Sequence, residues 1–131
     1  MWIELNISKV FKKRNAHLEK ILKLEIYKYI INTTDKLTKI KWNNYIQNIL
    51  GIKLTFDELL LKLVNSLAFT ISNNQYVIIT DPNKQIKNYK ADMLFRLINY
   101  GNLSIKGTHM FDKAFDFIKS NIGYILANNR G

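Results

Sequence analysis

A chain of 131 residues that is 47% hydrophobic, with one proline and five glycines, has the size and texture of one packed domain, residues 1–131, without a long linker. The absence of cysteine excludes disulfides, thiolate metal sites and cysteine nucleophiles, and the net charge of +10 points toward anionic partners. No apolar run approaches the length of a membrane span, and the apolar-then-basic order at the start is wrong for a signal peptide, so a soluble, unsecreted protein with no membrane partner is expected.

Ile3, Leu5 and Ile7 alternate with polar residues as in a short, half-buried strand. Ser8 is placed to cap a helix reaching about Ile31, with Leu18, Ile21, Leu22, Ile26, Tyr29 and Ile30 on its apolar face. The turn-formers Asn32 to Asp35 end that helix. Between Lys36 and Leu50 the residues Leu37, Ile40, Trp42, Tyr45, Ile46 and Ile49 suit a helix stopped by Gly51, although the isoleucines and aromatics also suit strands. Thr55 and Glu58 form a capping box ahead of a helix through Val64, with Leu59, Leu60 and Leu63 inward.

Leu67, Phe69 and Ile71 alternate, and Tyr76 to Thr80 is strongly β-prone. The intervening Asn73-Asn74 tolerates positive φ and predicts a tight hairpin, ended by Asp81-Pro82-Asn83. A helix follows from Lys90 to Tyr100, with Met93, Leu94, Leu97 and Ile98 inward and Gly101 ending it. Leu103 to Ile105 suits a brief strand. Thr108 is placed to cap a last helix whose stripe is Phe111, Ala114, Phe115, Ile118, Ile122 and Ile125, before a fraying tail from Asn128. The expected fold class is α+β: a small antiparallel sheet with a central hairpin, packed by long N-terminal and C-terminal helices.

Signatures of chemistry are missing. There is no phosphate-binding glycine loop, dinucleotide fingerprint, metalloprotease His pair or serine elbow, so neither an enzyme nor a cofactor is expected. His109, Asp112 and Asp116 have the spacing of one helix face, but acids near a helix N-terminus offset its dipole without any metal, and no metal role is expected. Lys12, Lys13 and Arg14 are candidate phosphate contacts, weighed against a wet helix face. Trp42 and Tyr45 beside Lys39 and Lys41 would suit base stacking, weighed against the core packing expected of such rings. Arginine occurs only at Arg14, Arg96 and Arg130, and the abundance of Lys, Asn, Ile and Tyr is what AT-rich coding produces.

Leu97-Ile98-Asn99-Tyr100-Gly101, then Gly107-Thr108-His109-Met110 and Ala114, resemble a step in the tail-completion, or head–tail joining, proteins of tailed bacteriophages. In that family an apolar segment ends in an acidic-aromatic-glycine step. A variable glycine-bearing loop follows, and then a closing helix begins near an alanine. Leu97, Tyr100, Gly101, Gly107, His109 and Ala114 are the positions that carry the resemblance. Asn99 stands where the family has an acid, Thr108 stands where it has proline, and the family's Pro-x-x-Thr-Gly step before the hairpin is missing.

The resemblance implies a virion structural protein at the head–tail junction, made in the host cytoplasm, whose homo-oligomeric ring joins connector to tail proteins. Leu67, Phe69, Ile71, Tyr76 and Ile78 are then candidates for an inter-subunit sheet edge. Two other readings stay open: a small basic phage protein that binds nucleic acid, and a host-directed inhibitor. Non-specific contact with DNA is compatible with the first reading as well.

Overall fold

The computed structural model describes residues 2–5 and 13–128. In order, the elements are β1 (Trp2–Leu5), α1 (Ala16–Thr33), α2 (Lys36–Asn48), α3 (Phe56–Asn65), β2 (Leu67–Ser72), β3 (Gln75–Thr80), β4 (Gln85–Ile86), β5 (Tyr89–Lys90), α4 (Ala91–Tyr100) and α5 (Met110–Asn128). The fold is the α+β arrangement that the switch of periodicity predicts. β1, β3 and β2 form an antiparallel sheet in that order, and β4 and β5 form a separate two-stranded ribbon.

The β2–β3 hairpin pairs Leu67 with Thr80 through to Ser72 with Gln75. Its two-residue turn has φ of 52° at Asn73 and 64° at Asn74, the positive pair that matches a tight turn to the twist of the strands. Leu67, Phe69, Tyr76 and Ile78 face the core, and Phe69 meets Tyr76 edge to face at 6.1 Å. β3 lies in the centre, paired with β1 on one side and β2 on the other. This corrects the expected sheet edge. Tyr76 and Ile78 sit on a doubly paired strand, whereas Leu67, Phe69 and Ile71 belong to β2, which pairs on one side only among the described residues.

α1 begins later than the apolar stripe suggests. Asn15, not Ser8, is its N-cap, accepting from the Leu18 N–H at 3.0 Å; Ser8 itself lies outside the described residues. Cations at Lys13 and Arg14 would oppose the positive end of the helix dipole, so the helix starts just past them. The Asn15 N–H also donates to the Tyr76 hydroxyl, which pins the start of α1 to the central strand. Glu19, only 7% exposed, receives Arg14 through two hydrogen bonds, at 2.5 and 3.1 Å, and the Tyr76 hydroxyl at 3.4 Å. The Glu19 hydrogen bond raises the Arg14 pKa, and burial is the main cause of a raised Tyr76 pKa.

Residues 36–48 resolve as helix. Asp35 caps α2 through Thr38, and Gly51 leaves it at φ 67°. Trp42 and Ile46 are buried, but Leu37, Ile40 and Ile49 are exposed, because the face toward the core is narrower than the apolar residues would fill. The Thr55–Glu58 capping box forms reciprocally, both bonds at 3.1 Å. Met93 is exposed, contrary to expectation: on α4 the stripe passes through Ala91, Leu94, Phe95, Ile98 and Asn99.

The core joins all five helices to the inner face of the sheet. α5 lies along α1 and reaches β1, while α4 bridges α3, α5 and β3. Phe95 and Phe111 meet edge to face at 4.6 Å where α4 and α5 cross. Phe111 and Ile118 are fully buried on the predicted stripe of α5, as are Ala114 and, nearly, Phe115. Phe111→Ala is expected to cost about 3–5 kcal/mol in urea denaturation, and Leu37→Ala on the exposed face of α2 less than about 0.5 kcal/mol.

Thr80 at the end of β3 donates to Asp92 at 2.6 Å, and Arg96 one turn along α4 contacts the other carboxylate oxygen at 2.5 Å. The Thr80 hydrogen bond, with Arg96 adding, lowers the Asp92 pKa. A depressed carboxylate contributes stability above its unfolded pKa, and that stability is lost as pH falls through the folded value. The melting temperature should therefore drop below about pH 4, and Asp92→Asn should flatten that acid limb while lowering the neutral-pH plateau.

Candidate functional site

The residues carrying the head–tail resemblance converge at the joint between α4 and α5. Asn99 is fully buried near the end of α4, one turn beyond Phe95 on the inward stripe. Its side-chain oxygen accepts from the Phe111 and Asp112 N–H groups at 3.2 and 3.3 Å, and its amide nitrogen donates to the Asp112 carboxylate at 3.0 Å. The Asn99 backbone carbonyl accepts from His109 at 2.8 Å. α5 is thus capped from another helix. Thr108, the expected cap, turns its hydroxyl to the Ile98 carbonyl at 2.9 Å and accepts from Met110 at 3.2 Å.

This capping brings the intervening loop down onto the end of α4. Gly101 leaves the helix at φ 76°, and a Cβ there would stand 2.3 Å from the Gly107 nitrogen. A Cβ on Gly107 would stand 2.3 Å from the Tyr100 carbonyl carbon. Backbone lies on backbone at both glycines, so neither position admits a side chain. The expected strand at Leu103–Ile105 does not form. Asn102 instead folds the loop on itself, accepting from Ser104 and Ile105 at 2.8 and 3.0 Å, and a single bridge pairs Gly101 with Lys106. Ile105 is buried inside, Leu103 is fully exposed at the tip, and the Asn102 amide reaches the Tyr45 hydroxyl of α2 at 2.9 Å.

Of the remaining positions, Ala114 is buried against the core and Leu97 is half-buried. Tyr100 is exposed at the last residue of α4 and meets the His109 ring edge-on at 5.7 Å. His109 has φ 53°, and its Nδ1 lies 3.2 Å from Asp112. Asp112 thus serves Asn99 and His109 together. Among the described residues no group of three His, Cys, Asp or Glu side chains stands together. Lys12 lies outside the described residues, Lys13 is exposed, and Arg14 is committed to Glu19 rather than free for a phosphate. Trp42 is buried, so the stacking platform weighed for Trp42 and Tyr45 is lost to packing, and Tyr45 packs edge-on against it at 5.7 Å.

Beside the joint, a cleft of about 700 Å³ opens between the α1–α2 turn and the start of α5. Lys41, Lys106, Lys113 and His109 line it together with threonine hydroxyls, and Asp35 stands at its α2 rim. Its N–H and O–H donors suit a hydrogen-bonding surface. No described helix is long and apolar enough to cross a membrane.

The cap is the feature that motif reading missed. Its signal was present: Asn99 falls one turn past Phe95, on a stripe where a polar residue needs a specific partner. Truncation to Ala should cost about 1–3 kcal/mol by orphaning two α5 N–H groups. Asn99→Asp should destabilise at neutral pH by setting a carboxylate against Asp112, and adding Asp112→Asn should recover about 1 kcal/mol or more of that loss in a double-mutant cycle. Strict additivity in urea denaturation would show that the two side chains are not coupled.

Comparison of the chain with family models, with curated proteins and with solved structures found no match in any of the three.

Proposed function

We propose that this chain is a virion structural subunit of a phage head–tail junction, acting without catalysis as one member of a homo-oligomeric ring between connector and tail. The observation that carries the reading is the joint itself. Leu97 to Gly101 and Gly107 to Ala114, the two stretches that resemble head–tail joining proteins, make one physical unit held by Asn99 and by the two glycine contacts.

Two surfaces suit head-to-tail assembly. The outer side of β2 presents unpaired strand backbone among the described residues, the type of edge that a neighbouring chain covers. The joint presents to solvent Tyr100, at the end of α4, and Leu103, at the tip of a loop closed by Asn102 and packed at Gly101 and Gly107. Different patches on one subunit make a heterologous contact, which closes into a ring when the rotation per subunit allows.

The test is the position and copy number of the chain in assembled particles, by mass spectrometry and electron microscopy of purified virions. Several symmetry-related copies on the tail axis are expected. Leu103→Asp should leave stability within about 0.5 kcal/mol, as surface changes do, and yet prevent incorporation. Absence of the chain from virions would overturn the reading, and sequence-specific DNA binding at physiological salt would then favour a regulator.

A further inference from the structure

A second concave surface, separate from the joint, lies where the C-terminal end of α3 meets the β4–β5 ribbon. It has a volume of about 500 Å³ and is lined by Lys62, Asn65, Ser66, Lys84, Gln85 and Lys87, with Ile86 at its base. No carboxylate lines it. Lys62, Lys84 and Lys87 are exposed, and no ion pair among the described residues holds any of them.

The ordinary account of lysines at a helix C-terminus is that they neutralise its partial negative charge. Here Lys23 already fills that place. Its amine donates to the Asn65 carbonyl at 3.0 Å and lies over the Phe69 ring at 5.8 Å. Burial lowers the Lys23 pKa; the Glu19 carboxylate opposes that shift, and the positive charges of Arg14 and Lys84 add to it, so Lys84 lies close enough to act on a second ammonium group. Three further ammonium groups therefore remain around one concavity: Glu58, one turn back along α3, acts on Lys62, and no ion pair among the described residues holds any of the three.

The backbone fixes part of this arrangement. Lys87 holds φ 56° in the two-residue turn of the ribbon, a conformation that a lysine seldom adopts. Tyr89 anchors the ribbon by donating to the Leu50 carbonyl at 2.8 Å, and the Ala91 N–H returns to the Lys84 carbonyl at 3.0 Å. The lysine-bearing turn is thus tied down on both sides.

We infer that this lysine basin is a contact site for the phosphate backbone of nucleic acid, without reading of sequence. Ammonium groups and the neutral donors of Asn65, Ser66 and Gln85 match phosphodiester oxygens. Arginine forks and aromatic faces, which read or stack on bases, are not among its lining residues. The site stands independently of the assembly reading: it requires only the monomer's own surface.

The experiment is fluorescence anisotropy of the full chain with a short labelled duplex of random sequence, titrated over a range of salt. The triple variant Lys62→Gln, Lys84→Gln, Lys87→Gln is compared with Lys41→Gln, Lys106→Gln, Lys113→Gln in the cleft beside the joint, which removes the same charge. Both sets are exposed, and unchanged melting curves establish that both variants are folded. The basin variant should bind at least about ten-fold more weakly and lower the salt slope by about one per lysine, with the cleft variant close to the parent. Two duplexes of unrelated sequence should bind alike. Equal losses in the two variants, no binding by the parent chain, or tighter binding of a polyglutamate competitor than of the duplex would each overturn the assignment, the last in favour of an acidic protein surface.

Discussion

The amide of Asn99 meets two demands at once. The start of α5 needs an acceptor for its free N–H groups, and Asp112 at that same start needs a donor; one buried amide supplies both. The assignment of its ends is forced, because the reverse would set the amide N–H₂ against the Phe111 and Asp112 N–H groups. An acid at this position would satisfy the two N–H groups and then face Asp112 with like charge. The pairing of Asn99 with Asp112 is therefore internally consistent: the neutral residue allows an acid on the facing helix, which in turn reaches His109. With the end of one helix fixed to the start of the next, the loop between them is forced into contact at Gly101 and Gly107, and the Phe95–Phe111 crossing below it is fixed in register.

Local signals were legible where the physics that sets them is local. The Thr55–Glu58 capping box, the Asn73-Asn74 turn and the Gly101 stop are each determined by a few neighbouring residues, and each forms as the residue types imply. The α5 stripe was legible for the same reason, since Phe111, Ala114, Phe115, Ile118 and Ile125 need only helical spacing to share a face. What escaped depends on partners remote in sequence. The start of α1 is set by Tyr76, a residue 61 positions away from Asn15. Alternation could not say that β3 would take the centre of the sheet, because β1 joins it from the far end of the chain. Leu103 has the apolar character of a strand residue, but Asn102 closes the loop on itself before any ladder forms.

The charges divide by type. Two of the three arginines are held within the chain, Arg14 by Glu19 and Arg96 by Asp92. Their planar guanidinium groups serve the fold, where fork geometry against a carboxylate is worth most. Lysines instead line the two concave surfaces, as mobile point charges suited to a partner whose phosphates lie in no fixed pattern. An AT-rich coding bias explains why the cations are lysines. It does not explain why three of them surround a concavity from which carboxylates are missing.

α2 connects these regions. Its buried face is small, centred on Trp42 and Ile46, and hydrophobic burial alone would hold it weakly. Polar ties make up the difference along its length. Tyr45 accepts from Asn102 of the joint loop, the Asn43 side chain accepts from the Phe56 N–H at the start of α3, and the Leu50 carbonyl just past the helix accepts from Tyr89 of the lysine-bearing ribbon. These three bonds leave α2 with its outer face, including Leu37 and Ile40, unused by the fold. The joint loop and the lysine ribbon are thus both tied by hydrogen bonds to one short helix and its C-terminal exit, at Tyr45 and at Leu50.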